Sequence, residues 1–188
     1  MKRAWLLLIA AALTLVGARA NLSGQEQAPA TQVFFGPVLG VDAVVIDPSG
    51  FNETMQTIYP KSEGTYFPVF TEMGIQSTQF FPLGNTKSSL AIHELFMIAG
   101  LDQNMPVPTV DLLFGYHFGW GLEGDLGSHF TLVAPGAAVR IGASMMYWVG
   151  WWFTFQGFSL PVKLTFVPLP SYTKPKISLL FGISFQAL

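Results

Sequence analysis

The sequence predicts an all-β fold, a transmembrane antiparallel up-and-down β-barrel of eight strands. Three observations carry this expectation. Hydrophobic residues make up 51% of the 188-residue chain and charged residues only 11%, less than half the share usual in a soluble domain. Beyond residue 31 the dominant hydrophobic period is two, the period of a strand. There is no cysteine, so a disulfide scaffold, a thiolate metal site and a processed lipid-bearing cysteine are all excluded. Membrane placement has to come from the fold itself.

At the N-terminus, Lys2 and Arg3 precede the apolar run Ala4 to Val16, and Ala18-Arg19-Ala20 places small residues at a cleavage site. These are the parts of a secretory signal, and the apolar run of about 13 residues is short of the roughly 20 needed by a spanning helix. Residues 1–20 are therefore expected to be a cleaved signal peptide. The mature chain keeps six basic and eleven acidic residues, a net charge of −5, which disfavours nucleic acid as a partner. Residues 21–31 (NLSGQEQAPAT) read as a flexible lead-in, and 32–188 as the barrel domain.

Eight strands are expected at 32–45, 65–80, 88–100, 108–119, 121–133, 137–148, 150–167 and 175–187. The cleanest alternation sets Val110, Leu112, Phe114, Tyr116, Phe118 and Trp120 against Asp111, Leu113, Gly115, His117 and Gly119. Leu122 to Leu132 keeps the same phase, with Gly119-Trp120-Gly121 as a tight turn between, and Ile177 to Ala187 repeats it against Lys176, Ser178, Gly182 and Ser184. The segment 88–100 is ambiguous, because His93 and Glu94 fall on opposite faces. Near Gly157 the phase shifts, which predicts a bulge or bend. The 18-residue stretch Asp47 to Gly64 reads as a long connection and Pro82 to Lys87 as a shorter one. Alternating long and short connections suit a membrane barrel.

The face that meets lipid is decided by amounts. The chain has 17 Phe, and the apolar face holds too much volume for the interior of an eight-stranded barrel, which side chains only just fill. The apolar face therefore points outward. Asp42, Glu72, Asp111, His117, Glu123, Asp125, His129, Arg140, Lys163 and Lys176 then point inward. Between Arg140 and Lys163 lie 22 residues without a formal charge, long enough for a transmembrane helix. Their glycine, aromatic and β-branched content and their period of two favour strands instead. Tyr147, Trp148, Trp151 and Trp152 read as an interfacial aromatic girdle or as ordinary lipid-facing bulk.

With its signal peptide, the strand-turn-strand segment VDLLFGYHFGWGLEGDLGSHF and the closing alternation ISLLFGISFQAL, the chain resembles the small eight-stranded bacterial outer-membrane barrels of the OmpA, OmpX and OmpW kind. Members of that group usually end on Phe, whereas here Phe185 is followed by Gln186, Ala187 and Leu188. The resemblance implies export to the bacterial outer membrane, insertion by the barrel-assembly machinery, contact with outer-membrane lipid and an extracellular ligand.

Catalytic chemistry finds little support. In His93-Glu94 and Ser128-His129 the adjacent side chains of a strand diverge, and no phosphate-binding Gly loop, HExxH or GxSxG occurs in the mature chain. The expected site is a polar lumen network of Asp111, His117, Glu123, Asp125, His129, Arg140 and Lys163, in which His117 and His129 meet beside the three carboxylates and Arg140 is their partner. Imidazole with carboxylate suits zinc or a similar ion, but ion pairs filling the lumen are the simpler account, and neither metal nor cofactor is expected. The resulting expectation is a non-catalytic barrel with a structural, surface-contact or adhesion role. One alternative is a narrow OmpW-like channel for small hydrophobic molecules, with Phe34, Val38, Tyr66 and Phe70 as its apolar mouth. Another is a lipid A-modifying barrel enzyme.

Overall fold

The computed structural model describes residues 31–60, 64–84, 86–133, 140–168 and 175–187, without the side chains of Val133 and Arg140. The expected signal peptide, nearly all of the lead-in and the connections around 134–136 and 169–174 lie outside the described residues. The strands are β1 (Gln32–Val44), β2 (Val69–Pro82), β3 (Ser89–Ala99), β4 (Val107–His117), β5 (Leu122–Val133), β6 (Arg140–Phe155), β7 (Phe158–Val167), β8 (Lys176–Gly182) and β9 (Ser184–Gln186). All neighbours are antiparallel, and β1 pairs both with β2 and with β8 and β9, so the sheet closes into a barrel of eight staves. Closure leaves no open edge, the condition for a sheet in hydrocarbon.

The register shows how steeply the strands tilt. A row that leaves β1 at Val33 runs through Gln79, Ile92, Phe114, Leu126, Tyr147, Phe166 and Ile177, and returns at Ala43, ten residues further along. Such a stagger accompanies a narrow barrel whose interior holds side chains and little else. Alternation follows the expected faces, with the even positions of β1 inward and the odd ones outward. Among the outward residues of the described strands, Glu94 is the only charged one.

The eighth stave is split into β8 and β9 for a reason visible in its neighbours. Gly182 stands opposite Pro161 by the β7–β8 register, and the Ile183 N–H donates to Pro37 O at 3.1 Å. Proline has no N–H to return, so the ladder is weakened on both sides of the same two residues.

Several expectations are corrected. β6 runs unbroken through Gly150, and the boundary between sixth and seventh staves is the turn at Gln156 and Gly157, where Gly157 takes φ 81°. The phase change is a hairpin, not a bulge, and the 22 uncharged residues run along β6 and back along β7. No described helix is long and apolar enough to cross a membrane. Of the four proposed girdle residues, Tyr147 and Trp151 face outward but Trp148 and Trp152 are buried in the lumen, because neighbours on a strand alternate. The outer aromatics cluster instead around the β4–β5 turn, where Trp120 meets Trp151 with ring centroids 5.0 Å apart.

The connection after β1 contains a helix that the alternation did not indicate, α1 (Pro48–Ile58). Asp47 caps it by accepting from Gly50 N–H at 3.1 Å, with Pro48 at its first position. Phe51 and Met55, one turn apart, are buried with Val44, Tyr66, Phe70, Ala99, Met105 and Val107. Phe51 stacks on Phe70 with centroids 6.2 Å apart. The helix thereby closes one end of the barrel.

Candidate functional site

The lumen is filled in layers. From the turn end to the α1 end run an aromatic plug (Phe34, Phe80, Ala91 and Trp152), a charged layer, an apolar layer around Val38, Leu95, Leu113, Met146 and Leu180, a second charged layer, and the cluster beneath α1.

The charged layer near α1 is built on β1, β2, β4, β5 and β8. Lys176 Nζ lies 3.2 Å from Asp42 Oδ2 and 3.6 Å from Glu72 Oε2. His129 Nδ1 is hydrogen-bonded to Asp111, its register partner, while His129 Nε2 meets Thr131 Oγ1 at 2.9 Å.

The layer near the turns brings together His93 from β3, His117 from β4, Glu123 and Asp125 from β5, Trp148 and Trp152 from β6, and Lys163 from β7. His93 Nε2 is 3.5 Å from Glu123 Oε2 and 3.3 Å from Asp125 Oδ1. His117 Nδ1 is 3.8 Å from the same Glu123 oxygen. Trp148 Nε1 donates to Glu123 Oε1 at 2.9 Å, and a 2.9 Å hydrogen bond joins Thr78 Oγ1 to His93 Nδ1. Lys163 Nζ donates to Gln76 Oε1 at 2.6 Å and sits 3.8 Å from the centroid of Trp148. Gln76 passes the chain on to Ser184 Oγ, also at 2.6 Å.

Two glycines make room for the carboxylates. A Cβ on Gly115 would stand 1.8 Å from Asp125 Oδ1, and one on Gly150 would stand 2.6 Å from Glu123 Oε1. Each glycine is the register partner of the acid it accommodates. Gly150 also leaves open the way from Glu123 to Lys163, which follow one another in the row Glu123, Gly150, Lys163.

The network expected from sequence is thus divided. His117 stays with Glu123 and Asp125, but His129 and Asp111 belong to the other layer, and His93 takes the place expected for His129. Alternation could have found His93, since it shares the inward face with Leu95 and Met97; Glu94 beside it hid the choice. The backbone of Arg140 lies far from those of Glu123 and Asp125. Its backbone stands opposite Val133, whereas Asp125 stands opposite Trp148 and Glu123 opposite Gly150, roughly 26 Å or more along the strand at about 3.3 Å per residue. The four residues of the expected apolar mouth do not meet either. Phe34 belongs to the plug at the turn end, Val38 to the middle layer, and Tyr66 and Phe70 to the cluster under α1.

No protein-family model matches the sequence, and no curated protein matches it. Among solved structures, the chain is similar to Ail, the attachment invasion locus protein of Yersinia pestis, with a TM-score of 0.53 and 9% identity over 84% of this chain and 97% of that one. Neisserial surface protein A aligns with a TM-score of 0.48 and 8% identity over 85% of this chain and 99% of that one. The likeness rests on the first of these. The fold is that of the small eight-stranded outer-membrane barrels.

Proposed function

We propose that the chain is an integral protein of the bacterial outer membrane, exported by its signal peptide, that acts in surface contact, adhesion or envelope structure and not in catalysis. The observation that carries this reading is a closed barrel, apolar outside, whose lumen is packed by side chains in successive layers among the described residues. A filled lumen argues against the hydrophobic conduit. The hydroxyl–imidazole contact of Thr78 with His93 is buried inside that filling, out of reach of an acyl chain, which argues against a lipid-modifying enzyme built on it. A protein of the same fold that is named for attachment and invasion is a precedent for such use of the architecture, although fold alone does not fix function.

Gln32 and Gln186, the outer ends of the first and last staves, lie at the end with the short turns, and α1 at the other. Short turns face the periplasm in barrels of this type and longer loops face outward. The α1 end is therefore the surface offered to an extracellular ligand, the outward apolar face contacts outer-membrane lipid, and the barrel-assembly machinery inserts the chain. Because the chain lacks cysteine, single-cysteine reporters have no background. Thr57→Cys on α1 should react with a membrane-impermeant maleimide in intact cells, and Gln156→Cys only after the outer membrane is opened. Recovery of the protein from the periplasm without detergent would end the reading.

A further inference from the structure

We propose that the lumen layer near the turns is a zinc(II) site, with His93 Nε2, Glu123 Oε2 and Asp125 Oδ1 as ligands and His117, whose Nδ1 is 3.8 Å from Glu123 Oε2, shifting to complete the set. This goes beyond the envelope role and does not depend on it, and it replaces the metal-free ion-pair network expected from sequence.

The ligand atoms of His93, Glu123 and Asp125 lie within 4.8 Å of one another, and all three residues are buried. Tetrahedral zinc with bonds of about 2.0–2.2 Å to nitrogen and oxygen sets its ligand atoms about 3.3–3.6 Å apart. His93 Nε2 stands at 3.3 and 3.5 Å from the two carboxylate oxygens, the spacing of atoms that share an ion. His93 Nε2, Glu123 Oε2, both Asp125 oxygens and His117 Nδ1 are buried without a hydrogen-bond partner. Buried polar atoms are normally satisfied, and here those of His93, Glu123 and Asp125 lie within 4.8 Å of one another, with His117 Nδ1 3.8 Å from Glu123 Oε2.

The surroundings hold the ligands in place. Thr78 occupies the far nitrogen of His93 and Trp148 the far oxygen of Glu123, the outer-shell bonds that orient imidazole and carboxylate ligands. Gly115 and Gly150 supply the space into which the two acids turn. Two carboxylates face one ammonium, that of Lys163, which is engaged with Gln76 and Trp148, so the layer is short of positive charge. Mixed imidazole and carboxylate donors in a site of four favour zinc over the hard oxygen-seeking ions. His117, whose side chain is 15% exposed at the end of β4, gives the ion a way in from the turn end.

The test takes the full chain, refolded in detergent and shown to be folded by heat-modifiable mobility. Zinc chloride is titrated by calorimetry, and cobalt(II) is added as a spectroscopic substitute. One zinc per chain and the intense visible absorption of four-coordinate cobalt support the site. Glu123→Gln and His93→Ala should each lose both signals, and Thr78→Val should weaken zinc binding about 10–100-fold. His129→Ala, which removes the imidazole of the other layer, should keep them. A folded wild-type chain that takes up no zinc overturns the proposal, whatever the variants do. So does zinc binding that survives Glu123→Gln and is lost in His129→Ala.

Discussion

In the charged layer near α1, Lys176 stands between Asp42 and Glu72, and His129 lies against Asp111. In the layer near the turns, His93, His117, Glu123 and Asp125 aim polar atoms at one another without hydrogen bonds. One charged-group atom is left unpartnered in the first layer, Asp42 Oδ1, against five in the second. Both layers are buried in the same barrel, so solvent access does not explain the difference. What differs is the cation. β8 carries Lys176 directly beside the two acids it serves, whereas Lys163 is drawn away by Gln76 and two indole rings.

The comparison predicts opposite responses to loss of charge. Lys176→Met should be the most damaging change, costing about 3–5 kcal/mol because it leaves two carboxylates buried without their partner. A folding titration in detergent or lipid measures it, and Lys176→Met combined with Asp42→Asn should restore part of the loss in a double-mutant cycle. Additive effects would mean that the pair is not coupled.

Gly115→Ala comes next, at about 1–3 kcal/mol, since a Cβ there collides with Asp125 and the packed interior has little room to give. Gly124→Ala on the outer face, where a Cβ meets nothing within 4 Å, serves as its control. Equal effects would show that Asp125 is not held over Gly115.

Glu123→Gln, measured without metal, should change stability by less than about 1 kcal/mol, because removing a charge from an undercompensated layer offsets what is lost while the amide oxygen still accepts from Trp148. A loss as large as that of Lys176→Met would erase the distinction between the layers.

The smallest effect lies outside both layers. Hydrogen bonds from the Ser49 hydroxyl and the Gly50 N–H hold the Asp47 carboxyl below the usual carboxylate range. Its cap is therefore fully present above the ordinary carboxylate pKa and is lost as pH falls through the lowered one. Asp47→Ala should speed amide exchange in α1 at neutral pH and leave the barrel strands unchanged, and the difference between variant and wild type in α1 should shrink in acid.

Much of this molecule was legible because strand alternation is local. A side chain's face follows from its parity, so Asp42, Glu72, Asp111, Glu123, Asp125 and Lys163 could be assigned inward without knowing any neighbour, and the eight staves could be counted. The misreadings came where a residue owes its identity to another stave. Gly150 resembled a strand boundary, yet it is a glycine inside β6 because Glu123 leans over it from β5. Asp47-Pro48 and the one-turn spacing of Phe51 and Met55 were available signals for α1, but they fell in a stretch without alternation.

The sequence by itself determined, for the strands with clean alternation, which residues face inward and which outward, because a period of two is a property of the backbone of each strand. Only the closed barrel decided which of those lining residues meet. Partners across the lumen depend on register, and the ten-residue stagger between the two ends of one row is the sum of eight pairings that no single strand encodes. The β5–β6 register alone sets the Arg140 backbone far from Glu123 and Asp125, and packing across the lumen brings His93 to those two acids.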